Sequence, residues 1–305
     1  MSPASAQERP CPICDGEKFW PVPFIDPATD RVIRRTSGYH WRLCKTCGNA
    51  TPSQVAERAE LQAYWEKNRV EQSAFEVTDA VWDKRMGESR VWGERTYEFV
   101  SPWVRTEEKR FLDIGCGLGG TVATFASHGW KALGLDPDPN TKPFHERLGI
   151  DSLIGRIEET EIPPAFDVIG IAHAIYFIQD PRGFVRRMRA QLSPDGLFAI
   201  VSTHLFSPLH VGRPAFVHTW YPTRASLIFL LNQEGFELAA TRTMKGSDML
   251  LFRQSSPRTP KPCSRGAWWM HRTQGLRRRT LGTILRCGLT AYRALKSRGT
   301  TDGRG

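Results

Sequence analysis

Residues 111–120, FLDIGCGLGG, constrain the fold of this 305-residue chain more than any other stretch. Phe111, Leu112 and Ile114 surround Asp113 as a short buried strand requires, glycines follow at 115, 117, 119 and 120, and an apolar-periodic run over 122–126 comes next. The order is strand, glycine turn, helix. Glycine accepts positive φ and lets the backbone approach a bound ligand where a Cβ would stand in the way.

Two acids frame this turn. Asp113 lies inside the strand, and Asp136 closes the next apolar run, 131–135, about 20 residues past the loop, where a ribose diol is usually gripped. No lysine stands where a P-loop places one, which excludes phosphate cradling of the GxxxxGK type. D-x-G-x-G followed by G-L-D resembles the S-adenosylmethionine site of the class I methyltransferases. The resemblance implies S-adenosylmethionine as cofactor, with the Asp113 carboxylate helping to orient its methionine end. It also implies cofactor contacts from Gly115, Cys116, Gly117, Gly119, Asp136 and Pro137. A nicotinamide cofactor is the rival for such a loop, but a plain dinucleotide fold has less use for Asp113.

Downstream, strands and helices alternate. A helix is expected near 143–148, a strand over 152–154, a buried parallel strand over 166–171, an amphipathic helix over 184–192 and a strand over 197–201. Residues 236–242 and 249–252 suggest a closing antiparallel pair. The expected fold is α/β, a doubly wound and mostly parallel sheet preceded by a small amino-terminal module, with ligands at the carboxyl ends of the strands. The string from D-V-I-x-x-x-H through D-P to L-x-P-x-G-L resembles the fourth strand, helix and fifth strand of small-molecule class I methyltransferases, and the stretch 218–238 resembles their later helix and substrate-side loop.

Those relatives also set expectations for single residues. An acid after the third strand commonly meets the adenine amine in patterns like G-D-x-E. Here Gly155, Arg156, Ile157 and Glu158 occupy it, so Glu158 or a backbone amide takes the adenine contact. Many relatives read H-x-L-E-H after the fourth strand; this chain keeps His173 but has Tyr176 and Phe177 in place of the acid and second histidine. Metal-assisted O-methylation of the catechol type thereby loses support. His173 and His204 fall at the ends of the fourth and fifth strands, where an imidazole can remove a proton near neutral pH, and with Tyr176 they are the catalytic candidates. Each histidine can equally be a satisfied structural residue.

Residues 11–47 hold two cysteine pairs, CPIC and CKTC, with 29 residues between Cys14 and Cys44 and a glycine after each pair. Cys11, Cys14, Cys44 and Cys47 match a closed, tetrahedral, structural zinc site. A disulfide pair or a redox CxxC is the alternative; a small segment without much core of its own favours the metal. The domains expected are a zinc-knuckle module at 1–52, a Trp-rich helical linker at 53–104, the methyltransferase domain at 105–254 and a basic tail at 255–305. Packing on the main domain is the plainer reading of the linker tryptophans 65, 82, 92 and 103; a lid over the cofactor is the sharper one.

The formal net charge of +10 is uneven. From Arg253 onward there are 13 Lys or Arg against Asp302 alone, a net +12, which leaves residues 1–252 at −2. Within that tail Leu281, Leu285, Leu289, Tyr292 and Leu295 recur at helical spacing, Arg279, Arg286 and Arg293 fall on the opposite face, and Trp268 and Trp269 precede them. Such a helix can dock on the enzyme, lie on an anionic membrane surface or bind RNA phosphates. No apolar run approaches the ~18 residues of a membrane span and the start is too polar for a signal peptide, so a cytoplasmic protein is expected, with the tail offering contact at the inner face of a membrane.

The expected activity is methyl transfer from S-adenosylmethionine to a small-molecule acceptor. The order of zinc knuckle and methyltransferase domain resembles nucleotide-sugar C-methyltransferases and their relatives in glycan and secondary-metabolite pathways. RNA methylation is the second enzyme reading, favoured by a zinc ribbon and a basic tail but lacking an N/D-P-P-Y motif and the paired cysteines of pyrimidine C5 methylation. A binding protein of the same fold is the non-enzyme reading, and the intact D-x-G-x-G with Asp136 stands against it.

Overall fold

The computed structural model describes residues 9–21, 41–53, 79–203, 218–244 and 246–262. The chain begins with a small antiparallel sheet of β1 (Phe19–Pro21), β2 (Trp41–Cys44) and β3 (Ala50–Pro52), in that order. Helix α1 (Asp79–Val100) follows, and then the main sheet begins.

That sheet contains β4 (Arg110–Ile114), β5 (Lys131–Asp136), β6 (Asp151–Ile154), β7 (Phe166–Ala172), β8 (Leu192–Thr203), β9 (Phe236–Met244) and β10 (Ser247–Gln254). Its order is β6-β5-β4-β7-β8-β10-β9. The first five strands pair in parallel, and β10 runs antiparallel between β8 and β9. The helices between them are α2 (Gly120–Ser127), α3 (Lys142–Leu148), α4 (Pro181–Gln191) and α5 (Arg224–Gln233). The chain builds outward from β4 to β6 and then restarts at β7 on the other side. The topological switch point therefore lies between the carboxyl ends of β4 and β7, where such sheets bind ligands.

Side-chain alternation divides the core in two. Phe111, Val168, Leu197, Ala199, Met249 and Leu251 face one side with Phe125 of α2 and Phe99 of α1. Their neighbours Leu112, Ile169, Phe198, Ile200, Leu250 and Phe252 face the other, with Phe184 of α4 and Leu230 of α5. A period of two covered on both faces is what a doubly wound sheet demands. The helix expected over 184–192 starts earlier, because Asp180 accepts a hydrogen bond from the Gly183 amide at 3.0 Å and Pro181 suits the first turn. Thr223 and Ser226 form a capping box at the start of α5.

The linker helix α1 packs on the domain, parallel to α2. Ser89 lies against Gly120, Gly93 against Thr124 and Tyr97 stacks on His128 at 3.8 Å. A Cβ at Gly120 would strike the Ser89 hydroxyl and lie 2.8 Å from the Ser89 backbone carbon, so only glycine allows this approach. The earlier turns of α1 extend past the glycine loop, where Trp82 stacks on Phe144 of α3 at 4.9 Å with the Arg147 guanidinium 4.7 Å from its ring. No helix among the described residues is long and apolar enough to cross a membrane. The basic tail from 263 onward, with Trp268, Trp269 and the leucine face, lies outside the described residues.

Candidate active site

The turn after β4 is a tight backbone cradle. Gly115, Gly117 and Gly119 have φ of 69°, 53° and 82°. The Asp136 carboxylate holds the turn from β5: Oδ2 accepts from the Gly117 amide at 2.8 Å and Oδ1 accepts from the Asp138 amide at 2.9 Å. A carboxylate offers about four acceptor positions, and these two amides use two of them. A Cβ placed on Gly117 would meet nothing within 4 Å, which marks open space beside that carboxylate.

Asp113 is 3% exposed at the head of the cradle. Burial, and then the charge of Asp136, push its carboxyl up to about 8. Burial raises Asp136 as well, opposed by the two amides that donate to it. Two acids under strain in one crevice form a site that gains when a cationic group arrives.

Cys116, expected to touch the cofactor, turns inward. A Cβ on Gly134 would lie 2.7 Å from its sulfur, and burial drives the thiol well above its ordinary range, so the thiol is unreactive and the residue faces the loop with its backbone alone. Sequence reasoning missed His145 in α3. Its Nε2 donates to the Gly117 carbonyl at 2.7 Å, which fixes the ring tautomer and ties the cradle to α3. Pro137 is exposed beyond β5, and Glu158 is exposed beyond β6, where Arg156 lies 3.6 Å from its carboxylate.

A second cluster stands at the carboxyl ends of β7 and β8. His173 adopts φ 55°, with its amide donating to the Val201 carbonyl at 2.9 Å. Its Nδ1 lies 3.3 Å from Thr203 Oγ1 and 3.4 Å from the Tyr176 hydroxyl, which itself accepts from the Thr203 amide at 2.7 Å. Trp92 of α1 meets the imidazole edge-on at 5.4 Å. Tyr176, 4% exposed, stacks on Tyr221 at 4.6 Å, and His218 meets both rings edge-on at 5.3 and 5.5 Å. Burial pushes His218 down to about 4. Thr203, His218 and Tyr221 were not singled out from sequence; for the last two the H-T-W-Y-P-T string at 218–223 was the available signal. His204 lies outside the described residues.

The four cysteines converge far from one another in sequence. Their sulfurs all lie within 4.8 Å, with Cys11 to Cys47 at 3.5 Å and Cys14 to Cys44 at 3.4 Å. Those separations are far too long for disulfides and close to the edge of about 3.8 Å that four 2.3 Å zinc–sulfur bonds give a tetrahedron. Backbone knuckles shape each pair: the Asp15 amide donates to the Cys11 carbonyl at 2.9 Å and the Gly48 amide to the Cys44 carbonyl at 3.0 Å. Four thiols this close can all ionise only around a cation, and the donor set fits zinc.

Comparison with known proteins agrees with this architecture. A family described as a methyltransferase domain matches residues 84–241. A ubiquinone biosynthesis O-methyltransferase of Nitrobacter winogradskyi is 31% identical over 96 residues, 30% of this chain and 37% of that protein. The corresponding protein of a Bradyrhizobium species is 33% identical over 100 residues, 31% of this chain and 39% of that one. The chain thus spans about two fifths of the length of these curated relatives. Among solved structures, the 1,6-didemethyltoxoflavin N1-methyltransferase of Burkholderia thailandensis, with bound S-adenosylhomocysteine, is similar over 68% of this chain and 96% of its own, at 19% identity and a TM-score of 0.48. With more than half of its length matched, the chain belongs to the methyltransferase-domain family.

Proposed function

We propose that this protein transfers a methyl group from S-adenosylmethionine to a small-molecule acceptor, and that its four cysteines hold a structural zinc. The observation that carries the reading is the cradle itself: positive-φ glycines beside open space, with Asp113 and Asp136 on either side. Asp136 keeps acceptor positions for a ribose diol. Asp113, uncomfortable as a buried anion, suits the ammonium of a methionine end. When bound, S-adenosylmethionine supplies an electrophilic methyl on a sulfonium. The chain's share of the work is then position, exclusion of water and removal of a proton.

His173 is the group for that last task. With Nδ1–H donated to Thr203 Oγ1, the lone pair that can take a proton sits on the other ring nitrogen, and the Tyr176 hydroxyl, itself fixed by the Thr203 amide, sets the ring angle. His218, held neutral by burial, adds to an aromatic wall of Tyr176, Phe177 and Tyr221 that suits a flat or weakly polar acceptor. Sugar and secondary-metabolite intermediates are the acceptor classes to screen first. Ubiquinone-type O-methylation in two relatives and N-methylation in a structural neighbour leave the receiving atom open. The basic tail is proposed as a peripheral contact, on the enzyme or on an anionic membrane.

Native mass spectrometry of the purified full chain tests both parts. The expected masses are one zinc per chain and one added S-adenosylhomocysteine. Retention of NADH in preference to S-adenosylhomocysteine would overturn the cofactor reading, and a metal-free chain under reducing conditions would overturn the zinc.

A further inference from the structure

The cysteine module and the His173 cluster share a wall. Ala50 of β3 forms a two-bond bridge with Tyr221: the Ala50 amide donates to the Tyr221 carbonyl at 3.0 Å and the Tyr221 amide to the Ala50 carbonyl at 2.8 Å. Thr223 Oγ1 donates to the carbonyl of Gly48, the residue after Cys47, at 3.0 Å. On the other knuckle, Arg182 donates to the Ile13 carbonyl at 2.6 Å and to Asp15 at 2.7 Å. Cys11, Cys44, Cys47, Ala50, Tyr176, Trp220 and Tyr221 all belong to one buried cluster.

From Tyr221 the contacts continue to the chemistry. Its ring stacks on Tyr176. The preceding residues clamp the turn that carries Tyr176: the Thr219 amide donates to the Tyr176 carbonyl at 3.0 Å, and Thr219 Oγ1 and Trp220 Nε1 donate to the Ile178 carbonyl at 2.8 and 2.9 Å. Tyr176 in turn sets His173. The hydrogen bonds that shape the cradle run the other way, to Leu135 and Asp136 of β5 and to His145 of α3, and its contact with the Tyr176 turn is one of packing, Gly115 against Ala174.

We propose that Tyr221 is a positioning residue through which the cysteine module, when it holds its metal, fixes the Tyr176–His173 end of the site, while the glycine cradle keeps its own hydrogen bonds to β5 and α3. The proposal rests on the zinc and cofactor assignments above, yet its test reads the protein without catalysis. Four thiolates closed on one ion lock the knuckle that presents Gly48 and Ala50. Freeing that knuckle removes both partners of 221 and 223, so the stack on Tyr176 loses its backing. The module then acts as one wall of the acceptor end, at a distance from the adenosyl end.

Hydrogen exchange of the full chain, measured by mass spectrometry before and after zinc removal with a chelator, tests this. Loss of metal is expected to speed exchange in peptides covering 174–178 and 219–227 by about ten-fold or more, while peptides covering 111–117 and 131–136 change by less than about two-fold. S-adenosylhomocysteine affinity, titrated in the same samples, should also stay within about two-fold. Tyr221→Ala should reproduce the local effect with zinc still bound, and Tyr221→Phe, which keeps ring and backbone bridge, should restore wild-type exchange. Uniform loss of protection in both sets of peptides would overturn the proposal, because the module would then be a general stabiliser. Unchanged exchange at 174–178 would overturn it too. A chain that ignores S-adenosylhomocysteine but shows the selective exchange change would sink the cofactor assignment and leave the positioning role standing.

Discussion

The two ends of the crevice are built in opposite ways. The proposed cofactor end takes Asp113, three positive-φ glycines and Asp136 from residues 113–136, and neighbouring parallel strands bring them together directly. The proposed acceptor end takes Trp92, His173, Tyr176, Thr203, His218 and Tyr221 from four separate segments, and leans on a fifth, the cysteine knuckle. A local cradle forms with its strand–turn–helix unit. A dispersed wall exists only when every long-range contact is made, each closing a long loop at entropic cost. Damage at the first end should therefore fall mainly on ligand affinity, and damage at the second should spread.

Metal removal gives the largest effect expected. Structural zinc contributes about 10–16 kcal/mol in small finger peptides, comparable to the whole stability of a typical domain. Cys44→Ser should abolish the proposed zinc binding, and circular dichroism should show the β1–β3 sheet lost with the main sheet retained. Unchanged metal content in that variant would remove the module from the comparison.

Two glycine substitutions separate packing from cradle. Gly120→Ala drives a Cβ into the Ser89 backbone and should lower stability by about 1–3 kcal/mol as α1 is pushed away, a shift readable by denaturant titration. Gly117→Ala meets no atom but must keep a left-handed φ, costing about 1–2 kcal/mol, and should weaken S-adenosylhomocysteine binding far more than Gly120→Ala does. The reverse ranking of affinities would place the ligand elsewhere.

Asp113 makes the cofactor end pH-dependent. With its carboxyl raised to about 8 from 3.8, the folded protein holds a proton there at neutral pH, and that protonation favours the fold as pH falls through 8. An incoming ammonium needs the anion, so binding should release a proton, and affinity should rise with pH until about 8 and then level. Calorimetry in buffers of different ionisation enthalpy reads that proton; Asp113→Asn should erase the dependence.

The smallest effect belongs to His218. Its imidazole is pushed down to about 4 from 6.5, so the unfolded chain takes up the proton first and stability should decline as pH drops from about 6.5 toward 4. Thermal melts across that window should flatten in His218→Gln.

This asymmetry also decided what could be seen from residues alone. The strand expected over 152–154 is Asp151–Ile154, and the antiparallel pair expected at the end is β9 with β10 inserted beside β8, because period-two apolar runs and turn glycines are local signals. Asp136 was found by its distance from the loop, and its grip on the Gly117 amide explains that spacing. The four cysteines were legible by pairing, though nothing in their spacing says that Gly48 and Ala50 would lean on Tyr221 and Thr223. His145 escaped notice since a histidine in a short amphipathic helix carries no mark of which carbonyl it will bind. Tyr221 and His218 could not be placed because their partners lie 40 to 170 residues away in the chain.

The cradle is the centre of the account, and titration of S-adenosylhomocysteine into wild type and Asp136→Ala probes it most directly. The wild type should bind one ligand per chain. The variant, deprived of charge-assisted hydrogen bonds worth about 1.5–3 kcal/mol each, should bind at least about ten-fold more weakly. Equal affinities in the two proteins, with the variant still folded, would contradict the assignment of this cradle to the adenosyl group.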